Sequence, residues 1–270
     1  MLHPMRRVPE MTTLSAPLPR TWRRPMATVG IAALSAAFFA VVSNEALIDS
    51  WLVRTFGTTP DPVFPTPLIY LTMQHLAVVA ISSALTVAIG VPLGAWVTRT
   101  GGADFRDIVS AGVDFGQSFP PIAVLALMFP IFGLSPASAI LALFLYGLLP
   151  VVSNTVAGLD AVPPAVTDAA RGMGLGRWRV LVTIELPLAI EVILAGVRTS
   201  VIVNVGTATV AAAIGAGGLG LPIFTGISTS NTGYVIEGAL AVSALALILD
   251  GSLAVLSRWI APRGVGATAD

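Results

Sequence analysis

Apolar residues along this chain gather into six long runs, separated by connections rich in Arg, Asp, Pro and Gly. The runs cover approximately 27–44, 76–97, 108–132, 137–157, 188–214 and 234–256. Each is near or above the ~20 residues that carry a helix across a ~30 Å hydrocarbon core. The pattern predicts an all-α, polytopic membrane protein with about six transmembrane helices. Gly90, Pro92, Gly94, Phe119-Pro120-Pro121 and Pro130 mark places where spans kink or backbones approach closely. The connection 45–72 carries Asp49, Arg54, Pro60, Pro62, Pro65 and Pro67, and prolines at that density forbid one continuous helix. Trp51, Phe56 and Phe64 place it at the headgroup level. The stretch 99–107, RTGGADFRD, reads as a short turn, and no internal duplication is visible. The organisation is a tail 1–26, a membrane domain 27–257 containing a polar loop of about 160–187, and a tail 258–270.

Charge fixes the expected orientation. Only 10% of the 270 residues are charged and 55% are hydrophobic, whereas soluble domains carry about 25% charge. An even number of spans returns both termini to one side. On that side lie Arg6, Arg7, Arg20, Arg23 and Arg24 of the first tail, Arg99 and Arg106, Arg171, Arg177 and Arg179, and Arg258 and Arg263. The other side has Arg54 alone. Arginine excess marks the cytoplasmic face, so both termini and the 160–187 loop are expected there. The N-terminal tail reads as cytoplasmic sequence before a first span, not as a cleaved signal.

Absences narrow the chemistry. Lys does not occur, so there is no Walker A motif and no ATPase site of its own is expected. Cys is absent too, which excludes disulfides and thiolate chemistry. His3 and His75 stand apart, so no metal site and no catalytic set is expected, and His75 beside Gln74 is expected at the external membrane face. A formal net charge of zero gives no support to nucleic-acid binding. Gly215, Gly217, Gly218 and Gly220 satisfy G-x-G-x-x-G literally. A dinucleotide site requires a preceding strand, and an apolar helical run precedes this one. The glycines read as a flexible external turn and candidate outer gate.

Five charged residues fall inside the spans: Asp114, Glu191, Arg198, Glu237 and Asp250. Charge in a bilayer needs a partner or water. At 1.5 Å per residue from Pro187, Arg198 lies ~16 Å deep. Its side chain leans toward the helix N-terminus, where Asp114 or Asp250 can neutralise it. The resulting pair is either a fixed staple or part of a gate.

The polar stretch Asp168–Pro187, DAARGMGLGRWRVLVTIELP, organises the rest. Asp168-Ala169-Ala170 reads as a helix start. Gly172, Gly174 and Gly176 end or bend that helix. Pro187 sits at the entrance of the next run, where a first-turn proline is tolerated. The stretch resembles the "EAA" loop of the membrane subunits of bacterial ABC importers, whose pattern is Glu-Ala-Ala, three residues, Gly, nine residues, Ile, one residue, Leu-Pro. Asp168, Ala169, Ala170, Gly174, Ile184, Leu186 and Pro187 keep every spacing, with Asp replacing the leading Glu.

Around it the chain is similar to the osmoprotectant branch of these permeases, which take up glycine betaine, choline or carnitine. The similarity rests on Ala169–Gly174, with Arg171 and Gly172, on Glu185–Ala189, on Ile193–Thr199 and Val205–Thr209, and on Gln74-His75-Leu76 with Ile89–Gly94. It extends over roughly residues 70–257. It implies a type I importer transmembrane architecture in a bacterial inner membrane, working by alternating access. It also implies an ATPase dimer that uses ATP and Mg, docked on a coupling helix within Asp168–Pro187. A second permease subunit, an external substrate-binding protein and the surrounding lipid complete the partners, with no cofactor in this chain. An amino-acid or methionine permease of the same architecture is the nearest alternative, and an ion-gradient-driven secondary transporter the next.

Overall fold

The computed structural model describes residues 20–57, 66–133 and 135–260. Arg6, Arg7, Arg263, Pro60, Pro62, Phe64 and Pro65 lie outside the described residues. Helices account for the regular structure among those described: α1 (Arg20–Val42), α2 (Glu45–Phe56), α3 (Leu68–Val97), α4 (Arg106–Ser118), α5 (Pro121–Phe132), α6 (Pro136–Asp160), α7 (Pro164–Gly172), α8 (Arg177–Val180), α9 (Leu186–Ala211), α10 (Gly220–Thr229) and α11 (Thr232–Ile260). Among the described residues, four stretches are each long and apolar enough to cross a membrane: α3, α6, α11 and the run Arg177–Ile214 that joins α8 to α9. A fifth candidate is α1 with α2, bent by 88°.

The run 108–132 is not one span but two short helices, α4 and α5. They separate at Phe119, whose backbone is extended, before Pro120 and Pro121. Neither proline has an N–H, and a residue preceding proline is pushed out of the helical region. The Tyr146 hydroxyl of α6 donates to the Phe119 carbonyl at the break. Gly90 of α3 packs on Val151 of α6, and Gly94 on Thr155, so the two helices run in parallel. The chain between them must therefore return across the bundle.

Part of the 45–72 connection is helical. Its prolines begin at Pro60, beyond the end of α2, where Gly57 takes a left-handed φ of 63°. Folded across the end of α1, α2 presents Trp51 and Phe56 edge to face, 5.6 Å apart. That is the placement expected of an interfacial element.

The core forms where α6 lies between α3 and α9. Small residues set the spacing. A Cβ on Gly196 of α9 would fall against the Pro150 carbonyl and Asn154 of α6. Without a hydrophobic drive between helices in lipid, such close backbone approach supplies much of the packing energy. Some buried polar side chains are bonded locally and others across helices. Thr72 and Thr155 donate to carbonyls one turn back, at 2.8 and 2.7 Å, and Asn204 Nδ2 donates to Ser83 Oγ at 3.1 Å. A second apolar cluster, with Phe38, Val42, Leu71, Leu219 and Leu245, joins α1 and α3 to α11. Ile31 of α1 meets Gly251 of α11, while Phe38 and Val42 share a cluster with Ala241 and Leu245. These helices are thus antiparallel, and α1 begins at the end where α11 finishes.

Gly196→Leu should force α9 away from α6, with overpacking of about 1–3 kcal/mol. The thermal midpoint of the purified protein in detergent should fall. Gly30→Leu, whose Cβ meets nothing within 4 Å, should leave it unchanged.

Candidate functional site

The polar loop is built from α7, a glycine turn and α8. Its first helix starts at Pro164, after Pro163, and not at Asp168. Proline fits the first turn because its missing N–H is not needed there. Asp168 instead lies inside α7, an exposed carboxylate 3.8 Å from Arg171 one turn on. The helix closes as expected near Gly172. Leu175 N–H donates to the Ala170 carbonyl at 3.2 Å and Gly174 N–H to Arg171 at 2.9 Å. Gly174 has φ +86°, the left-handed residue of a Schellman closure. A Cβ at Gly174 meets nothing within 4 Å inside the chain, so the position needs glycine for its backbone conformation.

Pro187 is the second residue of α9, as expected, but α9 carries straight on from α8 through a π-helical turn. Arg177–Ile214 is one continuous helix, and Pro187 lies in its interior. A proline ring clashes with the carbonyl four residues back. A wider π-helical turn at Leu181–Glu185 immediately precedes it, with Leu186 N–H bonded to the Leu181 carbonyl. Such bulges occur inside helices at functional positions. Ile184 and Leu186 are half-buried and Pro187 is exposed.

Two polar contacts fix this loop to the α3–α4 turn. Glu185, only 4% exposed, forms an ion pair with Arg99 at the end of α3. Arg177 Nη1 donates to Thr100 Oγ1 at 3.3 Å. At the same end, Arg106 of α4 pairs with Asp160 of α6 at 2.5 Å. Sequence reading gave Arg99 and Glu185 no joint role. The available signal was an acid and a base standing where two spans end on one face. Ala170 and Val180 are buried, while Ala169, Gly172 and Gly174 are exposed. The outer side of the loop also presents Met173 and Trp178, 74% and 75% exposed. A cavity of about 700 Å³, bounded by Pro92, Trp96, Arg171, Trp178 and Leu181, separates it from α3. The loop is held from behind and open in front.

Within the spans, Arg198 donates through Nε and Nη2 to the two oxygens of Asp250, both at 2.5 Å. Asp250 is thus its partner. Asp114 is exposed on α4 and does not pair with it. Glu191 is exposed on α9 and lines a cavity with Arg198 and Asp250. Glu237 is buried at the edge of a separate apolar cavity beside Phe38 and Trp51.

The glycine turn after α9 is not a free loop. Gly218 and Gly220 are buried with Leu219. Gly215 (φ +77°) ends α9 in a second left-handed closure. Gly217 and Gly218 also take positive φ, which lets them lie on Gln74 and His75. Gly218 N–H donates to Gln74 Oε1 at 3.2 Å. His75 is 1% exposed, packed inside the bundle with Nε2 against the Val205 carbonyl at 3.2 Å. It faces the inside of the bundle. Periodicity could not place it, because a single polar residue near a span end reads equally as interfacial.

The chain belongs to the binding-protein-dependent transport system inner membrane component family, whose profile matches residues 90–262. It is the permease component of an ABC importer. Among its relatives, the osmoprotectant import permease protein OsmW of Salmonella typhimurium is 41% identical over 200 residues, covering 72% of this chain and 92% of that protein. The glycine betaine/carnitine/choline transport system permease protein OpuCB of Bacillus subtilis is 39% identical over 198 residues, covering 73% and 90%. Among solved structures, the permease of the MetNI methionine ABC transporter aligns with TM-score 0.65 and 23% identity over 74% of this chain and all of that one. That likeness carries the fold, the type I importer transmembrane architecture.

Arg198→Ala should leave Asp250 without its partner and lower the yield of folded protein. Loss of one member costs about 3–5 kcal/mol for a dry pair and less here, where both side chains are over a third exposed. Adding Asp250→Asn should recover part of that loss, and Asp114→Asn none, measured as monodisperse protein after detergent extraction.

Proposed function

We propose that this chain forms half of the path by which an ATP-driven importer takes up a small quaternary-ammonium osmoprotectant such as glycine betaine, choline or carnitine. The observation that carries the solute class is the similarity, at 38–41% identity, to permeases for osmoprotectants, glycine betaine, carnitine and choline. Its partners are a second permease subunit, a dimer of separate ATPases that use ATP and Mg, and an external binding protein. This chain then supplies no nucleotide site and no cofactor. The arginine-rich end is cytoplasmic, with both termini, and the protein is multi-pass in a bacterial inner membrane.

The loop Asp168–Pro187 is the lever. Met173 and Trp178 offer apolar area to a groove on the ATPase, with Asp168, Arg171 and Arg177 at the rim. Movement of the docked ATPase reaches the membrane without loss, because α8 and α9 are one helix and Glu185 ties that helix to α3. A quaternary ammonium has no hydrogen to donate, so aromatic faces are its natural cage, and that task belongs to the binding protein. The permease needs only weak affinity.

Coupling is tested in the complex reconstituted with its ATPase and binding protein. Gly174→Val holds a β-branched side chain left-handed, a strain of about 1–2 kcal/mol. It should abolish stimulation of ATP hydrolysis by loaded binding protein. Gly174→Asn, a residue tolerant of that conformation, should retain most of it. Equal stimulation in wild type and Gly174→Val would remove the loop from the coupling path. Orientation is tested in the same Cys-free background. Single cysteines at Ser50 and Ser228 should react from outside intact cells, and those at Gly101 and Gly176 only after permeabilisation. The solute itself is identified by the ligand that the binding protein captures.

A further inference from the structure

α9 has two faces of opposite character. Ile193, Gly196, Ser200 and Asn204 are buried in the core. A half-turn away, Glu191, Ala195, Arg198, Thr199 and Ile202 line a cavity of about 520 Å³, closed on one side by Asp250 of α11. The spacing is that of a single helical stripe. Three charges therefore stand on one cavity inside the membrane domain.

Such a face is ill-suited to lipid, because a charge within a span is costly there and needs a partner or water. A dry subunit contact fits no better. Arg198 and Asp250 compensate each other, but Glu191 has no ion-pair partner among the described residues. Buried dry, an uncompensated carboxylate is strongly destabilising. Water in the cavity satisfies all three groups. Two carboxylates against one guanidinium then leave a formal charge of minus one. A cleft of one sign within low-dielectric walls concentrates ions of the other sign. No aromatic side chain lines the cavity, so it attracts a cation without caging it.

We propose that this face of α9 lines the solute path, and that Glu191 selects solutes bearing a fixed positive charge. The inference deepens the reading of this chain as a carrier of quaternary-ammonium solutes and rests on it. The carboxylate meets the ammonium group, while Arg198, locked by Asp250, stands two turns further along as the complementary contact for the carboxylate of a zwitterion.

The test uses Ala195→Cys in the full chain, co-expressed with its ATPase in permeabilised membrane vesicles. Two thiol reagents of similar size are compared, a trimethylammonium-ethyl and a sulfonato-ethyl methanethiosulfonate. Each rate is divided by that with a free thiol. The cationic reagent should be favoured by about tenfold. Glu191→Gln should abolish that preference, and Glu191→Asp should retain it. Equal amounts of folded protein in the three backgrounds ensure that the ratio reads charge. An unreactive cysteine would show that lipid or a subunit covers this face, and a preference unchanged by Glu191→Gln would remove Glu191 from selection; either overturns the proposal. Excess choline or glycine betaine is added separately. Cation preference without protection by either refutes the osmoprotectant reading and leaves the cation-selective path standing.

Discussion

The ion pair between Glu185 and Arg99 joins the part of this molecule that faces water to the part that spans lipid. Glu185 sits in the π-helical turn that accommodates Pro187, and it is buried. Its carboxylate is tolerable there because the guanidinium at the end of α3 meets it. Break that contact and the carboxylate is left buried and uncompensated, while the helix entering the membrane loses its lateral anchor. The continuous helix Arg177–Ile214, the Arg177–Thr100 contact and the exposed tip at Met173 and Trp178 all depend on that position being held.

Lipid imposes the second constraint. Backbone groups must be satisfied within the protein, so a broken span needs donors from its neighbours. The break at Phe119 shows the solution, with Tyr146 serving the freed carbonyl. Close packing of α6 against α3 and α9 through Gly90, Gly94 and Gly196 leaves little room for those helices to slide. Motion that preserves these contacts is carried by whole helices turning together.

Much of this was legible in the sequence. Apolar runs of span length gave the helical class and most of the spans, since long periodic segments are read most securely. Arg198 was marked for a carboxylate by depth and charge alone; the choice of Asp250 over Asp114 required knowing which helices are neighbours. The helix start was misplaced at Asp168 because an acid suits the first turn as well as it suits the second, and the Pro163-Pro164 pair was the better signal. Pro187 was read as an entrance because the π turn that absorbs it has no distinct local signature. Neither the burial of His75 nor the packing of the glycine turn was legible. Their burial comes from a contact between residues more than a hundred positions apart, which no local pattern encodes.

The proposed coupling requires loop and membrane helix to move as one body. Spin labels at Gly101 and Arg179, on either side of the Arg99–Glu185 contact, report it directly by pulsed electron resonance in the reconstituted complex. The distance distribution should be equally narrow without nucleotide and with ATP bound, and broader in Glu185→Gln. A distance that changes on ATP binding in the otherwise wild-type chain would contradict it.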